Sequence, residues 1–359
     1  MTKTKFYKIN DVNIYYLESS RRVWNRFIEN AIDVQFDGFE LSEGNEKLNI
    51  CIKDYNEIKD SDVDKIVTGN YGYKDGLFID YRKRNGFRVN DGQLEYWHDL
   101  GFNFSLPYII ELYSLHFNKT FIHAAGITKE NKAILFPAFG GIGKTLILTE
   151  LAKRDDVKVL GDDLVLIGND GKVESYPRPF CIYEYHKSVL SSSYSALNRV
   201  RFLAPGILWR IIKRLTLELK IRYGNKISFN NYITYKGGYA TVSPFVLFGS
   251  DKVECKPVQV EKIVILERSS SATTISLNKI EDRSAASSFA ANVTIHEWSD
   301  GLKSLLAYYA LTGVSISDYC SKVERIINDC FLKADECYIL TIPSKTSYDT
   351  LIAYINRVI

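Results

Sequence analysis

Ala138-Phe139-Gly140-Gly141-Ile142-Gly143-Lys144-Thr145 lies between an apolar run, Ala133 to Phe136, and a helical pattern, Leu146 to Lys153. The order is strand, glycine-rich loop, helix, which is the setting in which GxxxxGK(S/T) denotes a phosphate-binding loop. Gly140, Gly141 and Gly143 carry no Cβ, so the backbone can take the left-handed turns that aim several N–H groups at one anion. A helix opening near Lys144 adds its positive N-terminal end. In such a loop Lys144 reaches the β- and γ-phosphates of a nucleoside triphosphate, and the Thr145 hydroxyl ligates Mg²⁺. Ala138 stands where the pattern has its first glycine, and alanine is the mildest replacement there. All of Ala138, Phe139, Gly140, Gly141, Ile142, Gly143, Lys144 and Thr145 are therefore candidate nucleotide contacts. The bland alternative is a glycine-rich turn with no ligand.

Working outward, the strand Ala133 to Phe136 is preceded by Phe121-Ile122-His123-Ala124-Ala125-Gly126-Ile127 and a polar turn, Lys129 to Lys132. Two strands joined by so short a turn pair antiparallel. His123 is thereby expected on the strand beside the one that delivers the loop. Downstream, Val157 to Leu160 reads as a strand with Gly161-Asp162-Asp163 at its carboxyl end, where ligand-binding residues of open α/β sheets collect. Leu164 to Ile167, Val258 to Leu266 and Cys337 to Ile342 read as further strands. Asp300 to Thr312, Ser317 to Lys333 and Ser347 to Arg357 read as helices. Asn225 to Ser250 is rich in Asn, Gly and Tyr and reads as loops and hairpins, a candidate lid. Pro205 to Arg222 reads as an amphipathic helix whose basic side carries Arg210, Lys213 and Arg214.

Residues 1–112 are expected to form a smaller β-rich domain without a catalytic signature, and Leu106 to Phe117 a linking helix. Val12 to Tyr16 and Leu48 to Ile52 are runs of β-formers, and Asp75-Gly76 between two such runs signals a hairpin. Aromatics recur from Tyr71 through Trp97. They either pack a small sheet or make it a platform for a protein or peptide substrate.

Composition sets the class. The chain has 359 residues, 46% of them apolar and 25% charged, as ordinary globular proteins do. A net charge of +3 gives no footprint for nucleic acid. Met1 to Tyr7 lacks the apolar core of a signal peptide, and no run approaches the ~18 apolar residues of a membrane span. The cytoplasm is the expected compartment. The six cysteines are scattered without a CxxC pair, against structural zinc and against a disulfide frame.

The chemistry turns on Asp162-Asp163, which begins eighteen positions after Lys144. One carboxylate can hold Mg²⁺, directly or through water. The other can accept the proton of an attacking hydroxyl. Adjacent like charges raise one of the two pKa values, which favours proton acceptance near neutral pH.

Phe121-Ile122-His123-Ala124-Ala125-Gly126, the loop, and Leu160-Gly161-Asp162-Asp163-Leu164-Val165 together resemble the HPr serine kinase/phosphorylase family and its relatives, which share a nucleotide-binding fold with phosphoenolpyruvate carboxykinases. The resemblance covers about residues 121–185, including Tyr176-Pro177-Arg178-Pro179. It implies an α/β fold with a mixed-sheet P-loop kinase domain over residues 113–359, and ATP- and Mg²⁺-dependent phosphorylation of a hydroxyl, usually serine. Carried over by position, His123 is the active-site histidine, Lys144 the phosphate-loop lysine, Thr145 the metal-binding hydroxyl and Asp162 the proton acceptor, which leaves Asp163 for the metal. The family's second metal carboxylate falls on Glu174 or Glu184, and its downstream arginine on Arg178, Arg210 or another. The acceptor is a protein, a peptide or a small molecule, and a homo-oligomer is a family expectation. Residues 1–112 do not resemble the part that precedes the kinase domain in true HPr kinases, so HPr itself is not the expected acceptor. Rival readings are a nucleotide-binding regulator with weak ATPase activity, a carboxykinase-like lyase, which would need a further metal-binding histidine and lysine, and a motor-type ATPase.

Overall fold

The structure, a computed structural model, describes residues 3–9, 12–36, 48–59, 64–66, 69–90, 93–99, 106–176, 178–183, 233–236, 239–297, 299–313 and 315–358. Glu184, the basic stretch Pro205 to Arg222 with Arg210, Lys213 and Arg214, and part of the Asn225 to Ser250 segment lie outside these residues. The described chain is α/β with mixed sheets, in agreement with the sequence.

The N-terminal part builds an eight-stranded sheet from β1 (Lys3–Ile9), β2 (Val12–Leu17), β3 (Leu48–Asp54), β4 (Asp64–Ile66), β5 (Tyr71–Lys74), β6 (Leu77–Asp80), β7 (Asn85–Asn90) and β8 (Gln93–His98), in the order β1-β2-β3-β8-β7-β6-β5-β4. Asp75 and Gly76 join β5 to β6 with φ of 48° and 80°, the pair of positive values that a two-residue hairpin turn requires. β2 and β3 are parallel, so a crossover must connect them. It is α1 (Arg22–Phe36), a helix that the sequence reading did not assign. Its buried Trp24, Ile28 and Ile32 recur every fourth residue along one face. Phe78, Phe87, Tyr96 and Trp97 are buried as well. Phe78 and Phe87 both pack against Tyr308.

A second helix, α2 (Leu106–Ser114), leads into a nine-stranded mixed sheet. It spans the division expected at residue 112. The sheet comprises β9 (Lys119–Ile122), β10 (Ala124–Lys129), β11 (Lys132–Pro137), β12 (Val157–Gly161), β13 (Val165–Gly168), β14 (Lys172–Glu174), β18 (Val258–Ser269), β19 (Ser276–Lys279) and β20 (Glu336–Pro343). The helix α3 (Lys144–Leu151) follows β11. Between β14 and β18, β15 (Phe180–Tyr183), β16 (Ile233–Lys236) and β17 (Tyr239–Val242) form a separate small sheet, and α4 (Pro244–Phe248) follows. The described part of the expected lid is thus a hairpin and a short helix with a buried face, Pro244 and Leu247, rather than loops and hairpins alone. The remaining helices are α5 (Arg283–Glu297), α6 (Ser299–Thr312), α7 (Ile316–Lys333) and α8 (Tyr348–Val358).

One expectation is corrected. Phe121 to Ile127 is not a single strand: the chain bends at His123, and in the order β12-β10-β11-β18-β14-β13-β9 the strand β9 closes one end while β10 stands one strand in from the other. β9 pairs with β13, and β10 pairs with β11 and β12. Because one residue joins these two strands, the sheet must fold over on itself. An unbroken apolar run reads as one strand from sequence, because both halves are buried and nothing local marks the switch of partner.

Along β11, Ala133 and Leu135 enter one core while Ile134 and Phe136 enter another, the period of two expected for a strand covered on both faces. The first core reaches Trp24 of α1, Phe78 and Tyr96 of the first sheet, and Val323, Ile327 and Phe331 of α7. The second packs Ile147 and Leu151 of α3 and Leu351 and Ile355 of α8.

Candidate functional site

β12 and β11 are both antiparallel to β10, hence parallel to each other, and β11, β18 and β20 are parallel in turn. Their carboxyl ends share one edge, and Asp162-Asp163, the loop 138–143 and the segments after β18 and β20 meet there. Such an edge is where open α/β sheets bind ligands.

The loop has the backbone that its glycines allow. Gly141 and Gly143 have φ of 79° and 120°. Nothing lies within 4 Å of where a Cβ would stand on either, so conformation rather than space demands glycine there. Gly143 caps α3 without a side-chain acceptor, which leaves the first N–H groups of the helix for a ligand. Gly161 is demanded by space instead. A Cβ on it would stand 2.5 Å from the Leu164 carbonyl oxygen, in the tight turn that carries Asp162 and Asp163.

Lys144 is buried, and its Nζ contacts Ala138 O at 2.8 Å, Phe139 O at 3.1 Å and His123 Nε2 at 2.8 Å. Three ammonium protons thus meet three acceptors. Burial lowers the Lys144 pKa, opposed by the charges of Asp163, Asp162 and Glu297. Burial and then the Lys144 charge hold His123 down to about 4. A neutral ring accepting at Nε2 carries its proton on Nδ1, a tautomer that follows from this contact. The His123 backbone N–H donates to Thr294 Oγ1 of α5 at 2.9 Å, which fixes the bend between β9 and β10.

Thr145 Oγ1 donates to Asp162 Oδ2 at 2.8 Å. Burial first, and then the Asp163 charge, push Asp162 up to about 7. Its other oxygen, Oδ1, is buried with no hydrogen-bond partner. Such an atom costs about 1–3 kcal/mol unless something fills the gap. Asp163 is half-buried and lies 3.6 Å from Arg178 Nη1. Of the arginines weighed from sequence, Arg178 thus stands at this edge.

Of the two glutamates weighed as a further carboxylate, Glu174 is paired with Lys119 at 2.7 Å on β14, opposite Leu166. Glu297, which the sequence reading missed, is at the loop. The Gly140 N–H donates to its Oε1 at 3.2 Å, so a loop amide already holds an anion. Glu297 ends α5, and Phe139 locks that end to the loop by edge-on contacts with Phe289 and His296. On the opposite flank, Arg268 Nε donates to Ile142 O at 3.2 Å.

Comparison of the chain with models of known protein families found no match. Comparison with curated sequences found none either. The geometry of this edge therefore stands as the evidence for what the chain does. Among the described residues, no group of three or more His, Cys, Asp and Glu is arranged to hold a metal alone, and no helix is long and apolar enough to cross a membrane.

Proposed function

We propose that the chain is an ATP- and Mg²⁺-dependent phosphotransferase, of HPr-kinase/carboxykinase type, that passes a γ-phosphate to a hydroxyl of a protein, a peptide or a small molecule. One observation carries this reading: the contacts of Lys144 with His123 and of Thr145 with Asp162, both 2.8 Å, draw three separated stretches of sequence to one sheet edge beside a phosphate-type loop. A structural turn does not need a buried lysine there, nor a buried carboxylate with one oxygen unsatisfied.

Lys144 exchanges its carbonyl and imidazole contacts for phosphate oxygens when nucleotide binds, and the loop N–H groups and the first turn of α3 orient the same phosphates. The residues present suit Mg²⁺, which is commonly held by one hydroxyl, one or two carboxylates and the phosphates themselves. Thr145 and the pair Asp162-Asp163 would hold it, and the orphaned Asp162 Oδ1 is the atom with acceptor capacity to spare. When bound, the metal neutralises and aligns the phosphates. Arg178 beside Asp163 supplies a cation on the acceptor side.

The proton of the acceptor hydroxyl goes to one member of the acid pair. The family resemblance gives that task to Asp162 and leaves the metal to Asp163. The hydrogen bond from Thr145 favours the exchange of these roles, because it sets Asp162 against the metal-binding hydroxyl and leaves the half-exposed Asp163 facing an incoming acceptor.

The test supplies purified protein with Mg²⁺ and γ-labelled ATP to a size-fractionated extract of the source cells, using wild type, Asp162→Asn and Asp163→Asn. Label reaching a discrete species with wild type alone supports the kinase. The variant that keeps nucleotide and Mg²⁺ affinity while losing transfer identifies the base. Label found only as free phosphate selects the regulator with weak ATPase activity instead.

A further inference from the structure

We propose that the cavity on the β18–β20 flank of the loop is the nucleoside subsite, which takes the base and ribose of the triphosphate whose phosphates rest on the loop. This rests on the phosphate-loop reading above. The cavity has a volume of about 840 Å³, within the roughly 300–1,000 Å³ usual for small-molecule sites. Its walls come from the segment after β18, the segment after β20 and one side of α8, from Thr350 through Tyr354 to Arg357 in its last turn.

Position argues first. The loop follows β11, with β10 and β12 on one side and β18 and β20 on the other. The acids sit at the end of β12, and the cavity lies beyond the ends of β18 and β20. A triphosphate on the loop has one end that reacts and one that does not. The reacting phosphate must lie by Thr145, Asp162 and Asp163, so the nucleoside leaves toward the other flank. Arg268 spans that path, donating from Nε to Ile142 O and from Nη1 to Ser344 O, both at 3.2 Å. Ser344 is itself part of the cavity wall.

Chemistry then separates nucleoside from acceptor. Among the described residues that line the cavity, none is Asp or Glu. A phosphoryl acceptor needs a proton acceptor within reach, and the acids that act on Lys144 and His123 are on the other flank. The lining instead offers Ser270, Thr274, Ser347 and Thr350 beside Ile275 and Tyr354. Neutral hydroxyls with an aliphatic and an aromatic face suit an uncharged base and a ribose. Lys345 and Arg357 at the same cavity are compatible with phosphates nearby.

Thr274 and Thr350 are exposed at the cavity, so tryptophan at either fills space without entering a core. The experiment titrates Mg²⁺-ATP and Mg²⁺-tripolyphosphate into the full chain by calorimetry, for wild type, Thr274→Trp and Thr350→Trp. The expected result is ATP affinity lowered at least about tenfold in both variants, with tripolyphosphate affinity held within about twofold. Unchanged ATP affinity in both variants overturns the subsite and leaves the loop reading standing. Equal losses for both ligands overturn it too, because the damage would then be to the loop. Wild type that binds neither ligand overturns the loop reading, and the subsite with it.

Discussion

Asp54 of the first sheet and Asp162 at the edge of the second are both buried acids, and their surroundings differ in kind. Asp54 accepts from Ser19 Oγ at 2.7 Å, from Arg21 Nη1 at 2.9 Å and from the Asn56 N–H at 3.0 Å. Arg21 also reaches Asp99 at 3.1 Å, and Arg84 joins the same Asp99. Both oxygens of Asp54 are used, and the network ties β3 and β8 to the chain that enters α1. Asp162 has one hydrogen bond, from Thr145, and one oxygen with none. A satisfied buried acid holds a fold together, whereas an unsatisfied one among other charges at an open edge waits for a ligand.

Exchanging one substitution between the two sites gives the largest effect. Asp54→Ala removes three hydrogen bonds and is expected to cost about 2–4 kcal/mol in a denaturant titration, while nucleotide affinity of the folded fraction is unchanged. Asp162→Ala is expected to change stability by less than about 1 kcal/mol and, through loss of a carboxylate proposed to hold the metal, to lower phosphoryl transfer by about a thousandfold. The opposite pattern of stabilities would break the distinction between the two regions.

Glu111 is an intermediate case that sharpens it. This acid of α2 accepts from Thr120 Oγ1 at 2.5 Å and from the Phe121 N–H at 2.8 Å, yet complete burial pushes it up to about 7. The fold thus favours its neutral form. Its contribution is full below the ordinary value near 4.5 and is lost as pH rises through about 7. Glu111→Gln should therefore flatten the stability profile between those values by up to about 3 kcal/mol, read from urea unfolding at a series of pH. A profile identical to wild type would place no protonation cost on this acid. Transfer activity at matched folded fraction is expected to stay unchanged, since the glutamate does not touch the edge.

The smallest effect is expected at Glu297. Its carboxylate rests on the Gly140 amide, and on the proposed reading it would compete with phosphate for that loop donor. Glu297→Gln should tighten ATP binding a few-fold, about 1 kcal/mol, in a direct titration. Weaker binding would mean that this carboxylate helps to hold the nucleotide or its metal.

These residues also mark how far the sequence could be read. The loop, the acid pair and the Asp75-Gly76 hairpin were legible because each is written in neighbouring residues: a strand, a turn that only glycine tolerates, and a helix. Arg178 was one of several arginines, and only the fold brings it to Asp163. Glu297 was not legible at all, because it lies 157 positions from the glycine that it meets and ends a helix built on alanines and serines. The small buried faces of Ala286, Ala290 and Ala291 leave α5 without the strong apolar stripe that announces a helix. His123 was found as a residue and misplaced as an element, since a change of strand partner inside one apolar run has no local signal. In the first sheet, the alternation of β-formers announced strands, but the order that puts β3 beside β8 is set by long-range pairing.

The measurement that bears most directly on the account is a calorimetric titration of Mg²⁺-ATP into wild type and Lys144→Ala, with thermal unfolding of each as a check on folding. The account predicts saturable one-to-one binding to wild type, lost by at least about a hundredfold in a variant that remains folded. No binding to wild type, or equal binding to both proteins, would contradict the claim that this sheet edge is a phosphate site.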